Sequence, residues 1–309
     1  MKNMKQFKMN GLLILTSVGV LSMCPLYAEP VEEKVEVAKV DASIKSFGNA
    51  VGMQMIGIKA GSFVMGSPDS EKFRGNDEQA TDVTISESFW LSSTEITQKQ
   101  WLDIMGVSLQ QLIDTKVGAL GRGANLKKTP SAIADDQPMC FVNYSDALEF
   151  CQKLTDQERR NKTLPEGFIY SLPTEAQWEF AARAGSKTVF SYGDSLTSKE
   201  ANFYGKIPYN SKEVGEYLEK TTPVASYQPN NWGLYDMHGN LYEWCLDWYI
   251  EKLPGGIDPV SLKGGDSRCI RGGAWNRKGV SCRSAYRYSY DPTQRTNNIG
   301  FRVALVKEE

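Results

Sequence analysis

Beyond Gly185 the chain runs for a long stretch with almost no helix or strand signal. Gly, Asn, Pro and Asp recur through "YGDSLTSKEANFYGKIPYN" and "SYQPNNWGLYDMHGNLYEW". Backbone amides and carbonyls that find no partner in regular structure must find one elsewhere. A stretch of this kind inside a folded domain therefore needs pinning by metal, disulfide or aromatic packing. The chain has the means for aromatic pinning, with 7 Trp, 14 Tyr and 12 Phe. Tyr and Trp bury large area and keep a polar tip, which suits loop-rich folds and binding faces.

The first half carries the regular signals. "MIGIKAGSFVMGS" alternates apolar and small residues and reads as a hairpin. "ATDVTISESFWLSSTEIT" continues with β-prone residues. "TQKQWLDIMG" reads as a helix with Thr97 as N-cap, Trp101, Ile104 and Met105 on one face, and Gly106 as the stop. "NYSDALEFCQKL" places Ala147, Phe150, Cys151 and Leu154 on one stripe, which makes Cys151 a core thiol. In "LPTEAQWEFAARAG", Thr174 and Gln177 form a capping box and Gly185 ends the helix. Glu179 and Arg183 of that helix read as solvated or structural.

The N-terminus reads as an export signal over residues 1–28. Lys2, Lys5 and Lys8 precede the short apolar run "GLLILTSVGVLSM", and "LYAEP" offers cleavage after Ala28. The alternative is a lipoprotein anchored through Cys24. Met23 argues against it, because that processing favours a small residue before the cysteine. No later apolar run has membrane length, so no transmembrane helix is expected after cleavage and the protein is expected to be periplasmic or secreted. Residues 29–50 are charged and poor in large apolar residues, and read as a linker. One domain is expected over residues 51–306. A formal net charge of −2 gives no sign of a nucleic-acid partner.

Two residue counts limit the chemistry. His238 is the only histidine, so no multi-histidine metal centre can form. It reads as a loop histidine bonded to the backbone, with general-base work as the alternative. Signal removal leaves Cys140, Cys151, Cys245, Cys269 and Cys282. Their spacings match no zinc pattern. One or two disulfides plus a buried thiol is one reading, and a reactive thiol at Cys282 is the other. "DMHGNLYEWCLDWY" gathers Asp236, Asn240, Glu243 and Asp247 around Gly239. Oxygen ligands on such a turn suit calcium, although Asp and Asn in turns also bond their own backbone.

Taken together, "GSFVMGS", "LPTEAQWEFAARAG", "NWGLYDMHGNLYEW" and "RGGAW…CRSAYR…P…NNIGFRV" resemble the formylglycine-generating enzyme family, also called sulfatase-modifying factors. The resemblance runs from about Met53 to Val306. It implies an α+β, C-type-lectin-like fold with much irregular structure, held by structural calcium. The implied ligands are Asn202, the Phe203 carbonyl, Glu216 and the Leu218 carbonyl at one site. At the other they are Asp236, the Gly239 and Leu241 carbonyls, and Glu243.

The family's oxidases hold copper(I) between two thiolates. On a gap-free count from Trp275 the corresponding positions here are Arg277 and Cys282. Counting back from Gly300-Phe301-Arg302, Cys282 drifts off its position. On either count there is one thiol, and an arginine cannot ligate a metal. Copper is therefore not expected. Cys269 is the remaining candidate partner of Cys282, in a disulfide or a rebuilt copper pair.

The segment from Arg271 to Val303 alternates arginines with aromatics. Arg271, Arg287 and Arg302 read as structural ion-pairing residues. Trp275, Arg277, Arg283, Tyr288, Tyr290, Arg295 and Asn297, with Gln294 among them, read as an exposed face. Tyr, Trp and Arg make binding hot spots at low entropic cost. The favoured reading is an exported, non-catalytic binding or structural protein with a protein or peptide ligand. A formylglycine-generating oxidase working through Cys282, with Cys269 or an unconventional ligand, is the second reading. An accessory protein for envelope assembly is the third.

Overall fold

The computed structural model describes residues 44–117 and 133–308. The export signal, its cleavage after Ala28 and lipidation at Cys24 lie outside the described residues. Among the described residues no helix is long and apolar enough to cross a membrane.

Among the described residues, twelve short strands and four α-helices carry the fold. Strands β1 (Phe47–Gly48), β2 (Gln54–Ile58), β5 (Phe89–Ser92), β6 (Phe168–Ser171) and β12 (Ala304–Lys307) form one antiparallel sheet. Its order is β1-β2-β5-β12-β6, so the C-terminal strand is an inner strand. A second sheet has the order β10-β9-β7-β11, from β7 (Tyr242–Trp248), β9 (Arg268–Arg271), β10 (Tyr288–Tyr290) and β11 (Ile299–Gly300). A third joins β3 (Gly61–Met65), β4 (Thr81–Ile85) and β8 (Gly256–Ile257).

The expected hairpin over residues 55–67 does not form. β2 pairs with β1 and β5, whereas β3 pairs with β4. The two runs thus join different sheets. The domain also begins before residue 51. β1 pairs with β2, the Lys45 carbonyl accepts from Trp90 Nε1 at 2.8 Å, and Ala50 N–H donates to Glu158 at 3.1 Å. Residues 44–50 are part of the fold and not linker.

The helices follow their caps. α1 (Gln98–Met105) has the Thr97–Gln100 capping box and ends at Gly106 in the left-handed region. α2 (Leu109–Leu112) is a single capped turn. α3 (Tyr144–Asn161) begins with an Asn143–Asp146 box and continues beyond the apolar stripe at Leu154. α4 (Glu175–Arg183) has the Thr174–Gln177 box. Trp101, Phe150 and Phe301 pack together between α1, α3 and the sheets, with Trp101 and Phe150 stacked at 5.8 Å. Burying aromatics of this size supplies much of the apolar driving force.

Residues 184–241 contain only isolated bridges and no strand or α-helix. Their interior is a separate cluster of Phe190, Leu196, Ala201, Phe203, Tyr209 and Cys282. The long irregular stretch is thus pinned by aromatic packing together with one turn of the C-terminal segment.

Candidate functional site: the arginine-tyrosine face and the oxygen cluster beneath it

All five described cysteines are free and buried, so the expected disulfides are absent among them. Cys269 lies on β9 in a core cluster with Cys245 and Trp178, whereas Cys282 belongs to the cluster of Phe190 and Phe203. The Cys269–Cys282 pairing, as disulfide or copper site, is therefore corrected: the two thiols point into different cores. Cys269 donates to Glu175 Oε2 at 3.2 Å. Cys282 ends a 3-10 turn, Gly279–Cys282, and packs on Gly273. A Cβ at Gly273 would stand 2.6 Å from the thiol sulfur, so the second glycine of "RGG" is what lets the backbone close over it. Burial pushes the Cys282 thiol up to about 12, despite a backbone bond to Ala274 that opposes the shift. A thiol so shielded is overwhelmingly protonated at neutral pH, and the thiolate is the reactive form.

His238 lies under the same turn. Its Nδ1 is 2.9 Å from the Cys282 carbonyl, while Ser191 N–H donates to Nε2 at 3.1 Å. Nε2 must then be unprotonated, and Nδ1 carries the proton. Burial lowers the His238 pKa to about 4. It is a neutral structural clamp between residue 191 and residue 282.

The expected binding residues divide. Arg283 is fully buried and holds Glu71 at 2.6 Å and Glu78 at 2.7 Å. Trp275 is also buried, donates to the Asn297 carbonyl at 3.2 Å, and stacks on Tyr217. Neither offers an exposed contact, which corrects the reading of both. Arg295 is mostly covered and pairs with Asp146 of the α3 cap at 2.6 Å. Tyr290 and Asn297 are half-buried. Arg277 and Tyr288 remain. Tyr288 is 40% exposed, and its ring stacks with Tyr242 at 5.7 Å. The Arg277 guanidinium lies 5.8 Å from the Tyr242 ring and 6.0 Å from the Tyr288 ring. Cation–π contact holds it against both.

Arg271, Arg287 and Arg302 are buried in ion pairs. Arg271 reaches Glu179, Arg287 holds Glu175 at 2.7 Å, and Arg302 holds Glu243 at 2.6 Å. Arg183 pairs with Glu179 at 2.8 Å. Sequence reasoning missed the buried acids Glu71, Glu78, Glu95 and Glu175, and the aromatics Tyr204 and Tyr217 beside Trp275. The Glu175–Glu179 spacing on one helix was the only local signal.

The two implied calcium sets differ. Asn202, Phe203, Glu216 and Leu218 together line a cavity of about 250 Å³, with Ser198, Ala201 and Tyr227. Asn202 Nδ2 donates to the Lys220 carbonyl at 2.9 Å and to Asn240 Oδ1 at 3.2 Å, which frees its Oδ1 for a cation. The loop closes tightly there: a Cβ at Gly205 would meet the Glu216 carbonyl at 2.1 Å. These donors fit a hard cation. In the second set, Glu243 already holds Arg302 through both oxygens and accepts Trp178 Nε1 at 2.7 Å. Asp236 accepts Ala225 N–H through Oδ2, but its Oδ1 is buried without a partner, as is Glu95 Oε2. Burial raises both acids, Asp236 to about 6, and Glu243 adds to the effect on each. Glu243 is thus neutralised from within, and the unpartnered oxygens belong to Asp236 and Glu95.

Irregular chain over short strands, a buried lattice of arginines and acids, and a covered thiol define a loop-rich α+β domain of the sulfatase-modifying type. The chain belongs to the sulfatase-modifying factor enzyme 1-like domain family, which it matches over residues 42–307. It is similar to the chaperone protein LppX of Paenibacillus barcinonensis, 26% identical over 306 residues, covering 88% of this chain and 96% of that protein. It is similar to the formylglycine-generating enzyme of Streptomyces coelicolor, 33% identical over 201 residues and 59% of each chain. Among solved structures it resembles PvdO from Pseudomonas aeruginosa, with 27% identity and a TM-score of 0.66, over 86% of this chain and 99% of that one.

Proposed function

We propose that this protein is an exported, non-catalytic binding member of its family, taking a protein or peptide ligand on the face around Arg277 and Tyr288. The observation that carries the reading is the state of Cys282. Its thiol is buried and held protonated, no second thiol shares its cluster, and on a gap-free count from Trp275 an arginine, Arg277, stands where the family's second thiolate would be. These residues do not fit copper(I), so no oxidative step is derived for them. A protein ligand is supported by the similarity to a chaperone along nearly its whole length. An accessory role in envelope assembly is one form of the same reading.

Binding would work through groups that are already rigid. Tyr242 and Tyr288 are stacked on one another and fix Arg277, so little side-chain entropy is lost when a partner docks. Structural calcium is proposed between Asn202, Phe203, Glu216 and Leu218, where it would hold the loop behind this face. At the second set a cation would find Asp236 Oδ1 and the carbonyls of Gly239 and Leu241, with Glu243 already paired.

Copper(I) titration against a competing chelator tests the reading. The expected result is no tight 1:1 site in the mature protein. A stoichiometric site lost in Cys282→Ser would restore the oxidase reading.

A further inference from the structure

Arg277 differs from the other arginines of its segment. Arg271, Arg283, Arg287, Arg295 and Arg302 each hold a carboxylate. Among the described residues Arg277 holds none; its Nε, like those of Arg271 and Arg295, is buried without a hydrogen-bond partner. Two tyrosine rings cover one side of the guanidinium at 5.8 and 6.0 Å. Ring faces attract a cation but supply no acceptor for its N–H groups. A half-buried guanidinium without an acceptor is a place where an incoming anion gains, because part of the arginine has already left water in the free protein.

The surroundings narrow the anion. The Arg277 backbone is fixed by its N–H to the Ala274 carbonyl at 2.9 Å and by Tyr204 N–H to its own carbonyl at 2.7 Å. Tyr242, which lies under Arg277, begins β7, and Tyr288 begins β10. β10 is the outermost strand of its sheet, so among the described residues one edge of its backbone has no strand partner. A strand edge recognises an extended main chain through alternating N–H and C=O groups. A polysaccharide has no such groups. The planar guanidinium in turn matches a carboxylate in bidentate fashion.

We propose that Arg277 anchors a carboxylate subsite for an extended acidic peptide, whose main chain runs along the free edge of β10 with Tyr288 packed against it. The proposal rests on the binding reading and adds the ligand's charge and the group that holds it.

The test uses the mature protein and two pools of random decapeptides, identical except for Glu or Gln fixed at the centre. The protein is expected to capture the Glu pool about ten- to a hundredfold better, the range of one charge-assisted pair. Arg277→Gln should abolish that preference, and Arg277→Lys should recover only part of it. Both variants should melt with the parent, because Arg277 has no acid partner to strand. Equal capture of both pools, or a Glu preference that survives Arg277→Gln, would overturn the carboxylate subsite. If such indifferent capture is lost in Tyr288→Ala, the binding face itself stands. Capture of neither pool overturns both proposals. Saturable binding of polygalacturonate without peptide capture, abolished by Arg277→Gln, would overturn the peptide assignment.

Discussion

Arg277 and Arg283 sit in the same short loop and end in opposite situations. Arg283 is fully buried between Glu71 and Glu78, donates to the Phe73 carbonyl, and locks the 71–78 loop to the C-terminal segment. Among the described residues Arg277 reaches no acid; it rests on the buried Tyr242 and the exposed Tyr288. Neither has an acid among its neighbours in sequence. The difference comes from the rest of the chain: acids arrive beside residue 283 and none arrives beside residue 277. A buried arginine with two carboxylates is architecture, and a half-buried one without any is a vacancy for a ligand's charge.

The largest effect should come from breaking the buried side of this contrast. Arg283→Gln strands Glu71 and Glu78, and should cost about 3–5 kcal/mol, the usual loss when one partner of a buried ion pair is removed. Urea unfolding measures it. A cost below about 1 kcal/mol would mean that Arg283 does not pin the loop.

Next is the pH dependence at His238. Its folded pKa of about 4 is below the ordinary value of 6.5, so the unfolded chain binds more protons between those values. Stability should therefore be lost as pH falls from 6.5 towards 4, by on the order of 3 kcal/mol from this group. Asp236 and Asp247, both raised to about 6, act in the opposite direction, because the folded state takes up their protons first. The difference between parent and His238→Gln in a pH series of urea midpoints isolates the histidine. Parallel curves would contradict the neutral clamp.

Calcium removal should come third. A ligand at a hundred times its Kd stabilises by about 2.7 kcal/mol. Chelation should lower the melting temperature by several degrees, and Asn202→Ala should remove most of that response. An unchanged melting temperature on chelation would sink the assignment. Smallest is Arg277→Gln, which should change stability by no more than about 0.5 kcal/mol, as for a surface site. A large loss there would place Arg277 with Arg283 and collapse the contrast.

Local signals in the sequence were reliable where the physics is local. The N-cap at Thr97 and the capping box at Thr174 need only four consecutive residues, and both form. The family was legible because its motifs lie in order along most of the chain. Pairing was not. The run "MIGIKAGSFVMGS" has the alternation of a hairpin, but which strand each half joins depends on β4 and β5, further along. Arg283 looked like a surface residue because its partners lie about two hundred positions earlier, Glu78 at a separation of 205. Its burial becomes visible only once the fold brings the 71–78 loop across. The same holds for Cys282, whose shielding depends on Gly273 and on a cluster drawn from residues 190–209.

The central claim is that Cys282 belongs to the core and that only the Arg277–Tyr288 side faces a partner. Alkylation of the native mature protein with iodoacetamide, followed by mass-spectrometric location of the label, tests this most directly. Cys282 should stay unlabelled until the protein is unfolded and then react fully. Rapid stoichiometric labelling of Cys282 in the native protein would contradict it.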